Sequence, residues 1–141
     1  MRFQRVLVPV DLSEENQRAV EIAAELTALG PDGTVVLLHV IETIEDAPED
    51  EMRDFYASLE EKARTNMEGL ADGLAGKPLQ IERRIAYGKR LQEILAAAAD
   101  CRADVIVVRS HRVEPGRPGG GLGTLSHEVA LLAEIPVLLV K

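Results

Sequence analysis

Five apolar runs divide the chain, at residues 5–10, 35–41, 81–87, 103–108 and 137–140. Four are rich in Val, Ile and Leu and alternate little, as strands buried on both faces of a parallel sheet do. The run at 81–87 alternates more, with Ile81, Arg83, Ile85 and Tyr87 set against Glu82, Arg84 and Ala86. That pattern puts it nearer a sheet edge. Between the runs the period changes to that of a helix. Ala19, Ile22, Ala23 and Leu26 recur at i, i+3, i+4 and i+7. Met52, Phe55, Tyr56, Leu59 and Ala63 do the same, extended by Met67, Leu70 and Leu74. Leu91, Ile94, Leu95 and Ala98 form a third stripe, and Leu125, Val129 and Leu132 a fourth, all expected to face inward.

The punctuation agrees with these elements. Ser13 followed by Glu14, Glu15 and Asn16 suits a helix start. Gly30-Pro31-Asp32-Gly33 stops the first helix, and Gly73 with Gly76-Lys77-Pro78 ends the second. The order is β-α-β-α-β-α-β-α-β. Alternation of this kind implies right-handed crossovers and a doubly wound parallel sheet, an α/β fold with helices on both faces. No internal repeat or linker is visible, so residues 1–141 are expected to form a single domain, a size that supports a substantial core.

Composition narrows the function classes. With no Trp, two Phe and two Tyr, the core is aliphatic and base-stacking platforms are not expected. A net charge of −8 argues against nucleic-acid binding. The charge is uneven: eight Lys/Arg face four acids between residues 83 and 117, while residues 42–54 hold seven acids and one Arg. No apolar run is long enough to cross a bilayer. Met1-Arg2-Phe3-Gln4 leads straight into the first strand, leaving no room for a signal peptide, and Cys101 is the lone cysteine. The expectation is a cytoplasmic protein with no membrane partner. Cys101 has no CxxC partner and reads as an ordinary thiol near a helix end.

The chemistry concentrates in residues 109–124, R-S-H-R-V-E-P-G-R-P-G-G-G-L-G-T. A strand precedes this stretch and a helix follows it. Strand, glycine-rich loop and helix is an arrangement that aims backbone N–H groups and a helix N-terminus at an anion. In open α/β sheets ligands sit beyond the carboxyl ends of the strands, where strand order reverses. If the first and fourth strands are neighbours there, Asp11 at the end of the first faces the loop after the fourth. Asp11 could then accept hydrogen bonds from a ribose or an adenine edge, or it could serve as a turn or N-cap residue.

Other site types are absent from the sequence. His39, His111 and His127 are dispersed without metal-ligand spacing; His39 reads as a core residue and His127 as a surface or interface residue. There is no GxSxG elbow and no Gly-Lys-Ser/Thr P-loop end.

Taken in order, V-L-V-P-V-D-L-S-E-E-N, L-L-H-V, Tyr87-Gly88 with Leu91-Gln92-Glu93-Ile94, V-I-V-V-R-S-H-R, G-T-L-S-H-E-V-A and I-P-V-L-L-V resemble the universal stress protein family along the whole chain. With it comes the adenine nucleotide alpha-hydrolase-like superfamily. The resemblance implies a five-stranded sheet of order 3-2-1-4-5, a homodimer joined through the C-terminal strand, and in many members ATP in the crevice. It points to ATP or AMP as cofactor, with Mg²⁺ an option alongside ATP. In nucleotide-binding members the loop reads Gly-x-x-Gly, nine residues, then Gly-Ser or Gly-Thr. Gly123-Thr124 matches its end. Ser126 falls where members place another hydroxyl, and Ser110 and His111 match common choices. Asp11 and Val40 match positions that hold ribose and adenine, and Val108 precedes the loop.

The departures are specific. Arg109 and Arg112 stand where the two early glycines belong, and ten residues (113–122) fill the spacer. A non-glycine forced into the left-handed region costs on the order of 1–2 kcal/mol. The arginines could bind phosphates by charge-assisted bonds or fill the phosphate space. Two readings follow. One is a small stress-response protein binding ATP or AMP through Asp11, Val40, Val108, Arg109, His111, Arg112, Gly123, Thr124 and Ser126. The other is a dimeric regulatory module that binds no nucleotide, acts through a protein partner, and pairs its arginines with acids such as Asp11. Under either, a dedicated enzyme is not expected, since only His111 is placed to activate water; slow ATP hydrolysis is the most that is anticipated.

Overall fold

The computed structural model describes residues 3–28, 32–45, 49–110 and 124–141. Five strands, β1 (Arg5–Pro9), β2 (Thr34–Ile41), β3 (Gln80–Tyr87), β4 (Val105–Arg109) and β5 (Val137–Val140), form one parallel sheet of order β3-β2-β1-β4-β5. Four helices separate them: α1 (Gln17–Thr27), α2 (Glu49–Asp72), α3 (Arg90–Asp100) and α4 (Leu125–Leu132), with a 3₁₀ turn (Glu14–Asn16) leading into α1. This is the doubly wound α/β fold and the strand order expected, with the alternating strand β3 at an edge.

Alternation along the buried strands builds two cores. Val6, Val8, Val35, Leu37, Val105 and Val107 point to one face, covered by Ala19, Val20 and Ala23 of α1 and Met67 of α2. Leu7, Val36, Leu38, Ile106 and Val108 point to the other, covered by Ile94, Ala97 and Ala98 of α3 and Val129 of α4. Small residues on the helices let them approach the sheet closely.

Two inward assignments fail. Phe55 on α2 is 47% exposed and Leu132 on α4 is 58% exposed. A helix of 24 residues is about 36 Å long at 1.5 Å per residue, longer than the strands beneath it. Of its stripe only Ala63 and Met67, with Leu74 just beyond the helix end, are fully buried. The earlier part instead packs on itself and on β3. Tyr56 stacks edge-on to Tyr87, and its hydroxyl accepts the Ile44 N–H at 2.8 Å. Leu132 lies on the short last helix, beside the sheet edge.

Strand ends also shift for local reasons. β4 begins at Val105 and not at 103, because residues 101–103 close α3. The Arg102 N–H donates to the Ala99 carbonyl and the Ala103 N–H to the Ala98 carbonyl, the paired bonds of a Schellman motif. Gly88, between β3 and α3, has φ +146°, and a Cβ there would lie 2.7 Å from the Glu93 carboxylate. The positive φ favours glycine at this turn, while the Glu93 side chain could swing away from a Cβ.

Candidate functional site

A crevice opens where β1 and β4 part. β1 pairs with β2 through five positions as far as Pro9↔Leu38, but with β4 only at Val6↔Val105 and Leu7↔Ile106. Pro9 has no N–H with which to continue a ladder. Beyond this point the strands diverge over a cavity of about 260 Å³, near the small end of the range for small-molecule sites. Its lining includes Asp11, Val40, Val108, Arg109, Thr124 and Ser126. Six of the nine expected site residues thus share one cavity. His111, Arg112 and Gly123 lie outside the described residues.

Val40 and Val108 are nearly fully buried and supply apolar wall. Asp11 sits in a tight polar turn. Its Oδ1 accepts the Ser13 N–H at 2.8 Å and the Asn16 amide at 3.2 Å. The same Asn16 amide donates to the Asp11 carbonyl at 2.8 Å, and the Asn16 Oδ1 accepts the Asp11 N–H at 3.3 Å. Burial pushes the Asp11 carboxyl up, but hydrogen bonds from Ser13 and Asn16 and the Arg109 charge outweigh it, so the group lies below the ordinary carboxylate range. Asp11 is thus a turn residue and a cavity residue at once. Its Oδ1 is committed to the turn and its Oδ2 faces Arg109.

Arg109 is the last residue of β4 and, with Arg90 of α3, brings a guanidinium to the cavity lining. Its Nη2 lies 3.4 Å from Asp11 Oδ2, and its Nη1 pairs with Glu15 on the 3₁₀ turn. Ser13 caps that turn, its Oγ accepting the Glu15 N–H at 3.3 Å. Glu15 carried no site expectation. Nothing in local spacing could join it to a residue 94 positions away.

Across the cavity a chain of hydroxyls heads α4. The Ser126 hydroxyl donates to Ser110 Oγ at 3.2 Å and lies 3.2 Å from Thr124 Oγ1. Thr124 is the N-cap residue of α4, yet its side chain makes no capping bond. It contacts His127 Nδ1 at 2.6 Å instead. His127, expected at the surface or an interface, therefore belongs to the edge of this cluster. His39 is buried and donates from Nδ1 to the Val10 carbonyl at 3.1 Å, as a satisfied core histidine does, while also lining the cavity. Burial raises the Cys101 thiol, against the opposing pull of Arg84 and Arg5, which fits an unreactive cysteine.

Among the described residues no group of three or more His, Cys, Asp or Glu could hold a metal ion, and no helix is long and apolar enough to cross a membrane. The cavity lining offers one carboxylate, the Thr124 and Ser126 hydroxyls, two guanidiniums and a helix N-terminus. That set suits a polar anionic ligand with hydroxyl groups.

A parallel sheet with its cleft at the reversal of strand order, rimmed by Asp11 and the hydroxyls of α4, defines a doubly wound α/β protein with a crevice at its switch point. The model of the universal stress protein family matches residues 2–141, and the chain belongs to that family. It is similar to Universal stress protein YxiE of Bacillus subtilis (strain 168), with 28% identity and 99% of each chain covered. Its structure is similar to that of hypothetical protein MJ0577, with a TM-score of 0.85 and 27% identity over 100% of this chain and 97% of that one. It is also similar to a universal stress protein family protein from Arabidopsis thaliana, solved with AMP bound. The TM-score there is 0.68, with 27% identity over 98% of this chain and 91% of that one.

Proposed function

We propose that the chain binds an adenine nucleotide, AMP or ATP, in the crevice between β1 and β4. The observation that carries this reading is convergence on one cavity. Asp11 from the end of β1, the Val40 and Val108 walls, and the Thr124 and Ser126 hydroxyls at the head of α4 all line it. Asp11 would hold ribose hydroxyls, and the start of α4 would face the phosphates. The related Arabidopsis protein, solved with AMP, supports the ligand class. Mg²⁺, if it accompanies ATP, would be held mainly by the phosphates, as Mg²⁺ commonly is in nucleotide sites. The functional setting is a stress-response protein of its family. Thermal denaturation of nucleotide-stripped protein tests the reading. A ligand at one hundred times its Kd stabilises by about 2.7 kcal/mol, a readily measured rise in Tm. No shift with millimolar AMP or ATP would reject it.

A second reading is favoured by one observation, the pairing of Arg109 with Asp11 and Glu15. In it the arginine closes the crevice, and the protein works through a protein partner without nucleotide. Arg109→Gly would then create binding that the parent lacks.

In both readings a second copy is expected at the C-terminal strand. Among the described residues β5 pairs only with β4, and Leu138 on β5 and Leu131 and Leu132 on α4 are exposed. An uncovered apolar edge favours pairing with another strand, and two-fold pairing of β5 with itself would close it.

A further inference from the structure

Two groups on the wall of the crevice, Asp11 and Arg109, are tied together, and Glu15 outside the lining holds the same guanidinium. The Arg109 guanidinium contacts Asp11 Oδ2 and Glu15 Oε2, and its side chain is 22% exposed, against 49% for Asp11 and 69% for Glu15. Asp11 Oδ1 is already occupied by Ser13 and Asn16. Its remaining oxygen is the one Arg109 holds. A ligand hydroxyl that seeks Asp11 must therefore compete with a cation for Oδ2.

The outcome of that competition depends on ligand charge. An uncharged ligand that displaces Arg109 leaves the guanidinium with one carboxylate fewer and offers it nothing in return. A phosphate offers two oxygens in the planar geometry an arginine fork matches. Glu15 is the more exposed partner and is tied to a short turn, so it can release Arg109 with water replacing the contact.

We infer that Arg109 makes this crevice selective for anionic ligands. A phosphate draws the guanidinium off Asp11 and Glu15 and frees Asp11 Oδ2 for the ligand's hydroxyl, whereas an uncharged nucleoside cannot. Arg109 is then a specificity-determining residue, and Glu15 a positioning residue that holds it in the resting arrangement. The inference rests on the nucleotide reading above and assigns a role to a side chain that stands where a glycine is expected.

The test is calorimetry with adenosine and with AMP on wild type, Arg109→Ala, Arg109→Lys and Glu15→Gln, each first shown to unfold at a Tm close to that of wild type. Wild type should bind AMP at least about tenfold more tightly than adenosine, the worth of one charge-assisted contact. In Arg109→Ala that ratio should collapse, with AMP weakened and adenosine gaining access to Asp11. Arg109→Lys should restore part of the ratio, since a point charge lacks the fork. Glu15→Gln should tighten AMP a few-fold by loosening the resting pair. An Arg109→Ala variant that binds AMP as tightly as wild type, or more tightly, with the ratio unchanged, overturns the inference while leaving nucleotide binding intact. Failure of both ligands to bind wild type and Arg109→Ala alike overturns the inference together with the nucleotide reading.

Discussion

Arg109 at the end of β4 and Asp11 at the end of β1 meet across the divergence of their strands, Nη2 to Oδ2 at 3.4 Å. The pair spans the crevice that this divergence opens. Its members come from positions 98 residues apart, and the strand order β1-β4 brings them together.

The pH dependence of the pair has a definite sign. The folded-state pKa of Asp11 is depressed, chiefly by hydrogen bonds from Ser13 and Asn16 acting against burial. Its contribution to stability is therefore fully present above the ordinary value of 3.8 and is lost as pH falls through the lower, folded value. Asp11→Asn should destabilise the fold slightly at pH 7, by no more than about 1 kcal/mol for so exposed a pair, seen as a small drop in Tm. As pH falls through the lowered, folded value the two proteins should converge. A difference that grows on acidification would reverse the sign argued here.

The end of α3 leaves room for a stabilising change. Arg102 occupies the C′ position of a Schellman motif at φ 53°, where glycine carries no penalty. Arg102→Gly should stabilise the fold by about 0.5–1 kcal/mol in urea unfolding. A loss of stability would show that the arginine side chain supplies more than its backbone strain costs.

Gly33 shows the opposite constraint. A Cβ there would lie 2.5 Å from Thr27 Cβ and 2.8 Å from the Thr27 carbonyl. The Gly33 carbonyl also accepts the Gln80 N–H at 2.8 Å, tying this turn to β3. Gly33→Ala should cost roughly 1–3 kcal/mol, as overpacking does. Chemical denaturation that gives no change would show that the turn can move aside.

The exposed leucines near β5 make the dimer testable. Leu138→Lys places a charge in the middle of the edge strand, where its side chain is already 40% accessible, so the protomer should remain folded. Sedimentation should show a dimer for wild type and a monomer for the variant. A wild-type monomer at micromolar concentration would remove the proposed interface.

The sheet was legible because fully buried strands carry their own signature. Runs such as Val35 to Ile41 have nowhere to lie but between two helical layers. The alternation in β3 located an edge for the same reason. The helix faces were legible only where the sheet lies beneath them, which is why Ala63 and Met67 proved buried and Phe55 did not. Asp11, Arg109 and Thr124 could be singled out because a parallel sheet delivers the end of β1 and the loop after β4 to one place, while Val40, Val108 and Ser126 were named through the family resemblance. Glu15 and His127 could not. Their roles depend on which way a long side chain turns once the backbone is set, and no periodicity encodes that.

The central claim is that the crevice between Asp11 and the head of α4 holds an adenine nucleotide. Isothermal titration calorimetry of AMP and ATP into nucleotide-stripped protein tests it most directly. The account predicts saturable heat at one ligand per protomer, weakened when Ser126 is replaced by Ala and weakened further when Asp11 is replaced by Ala. Absence of heat for both nucleotides at millimolar concentration, or saturable heat that neither substitution alters, would contradict it.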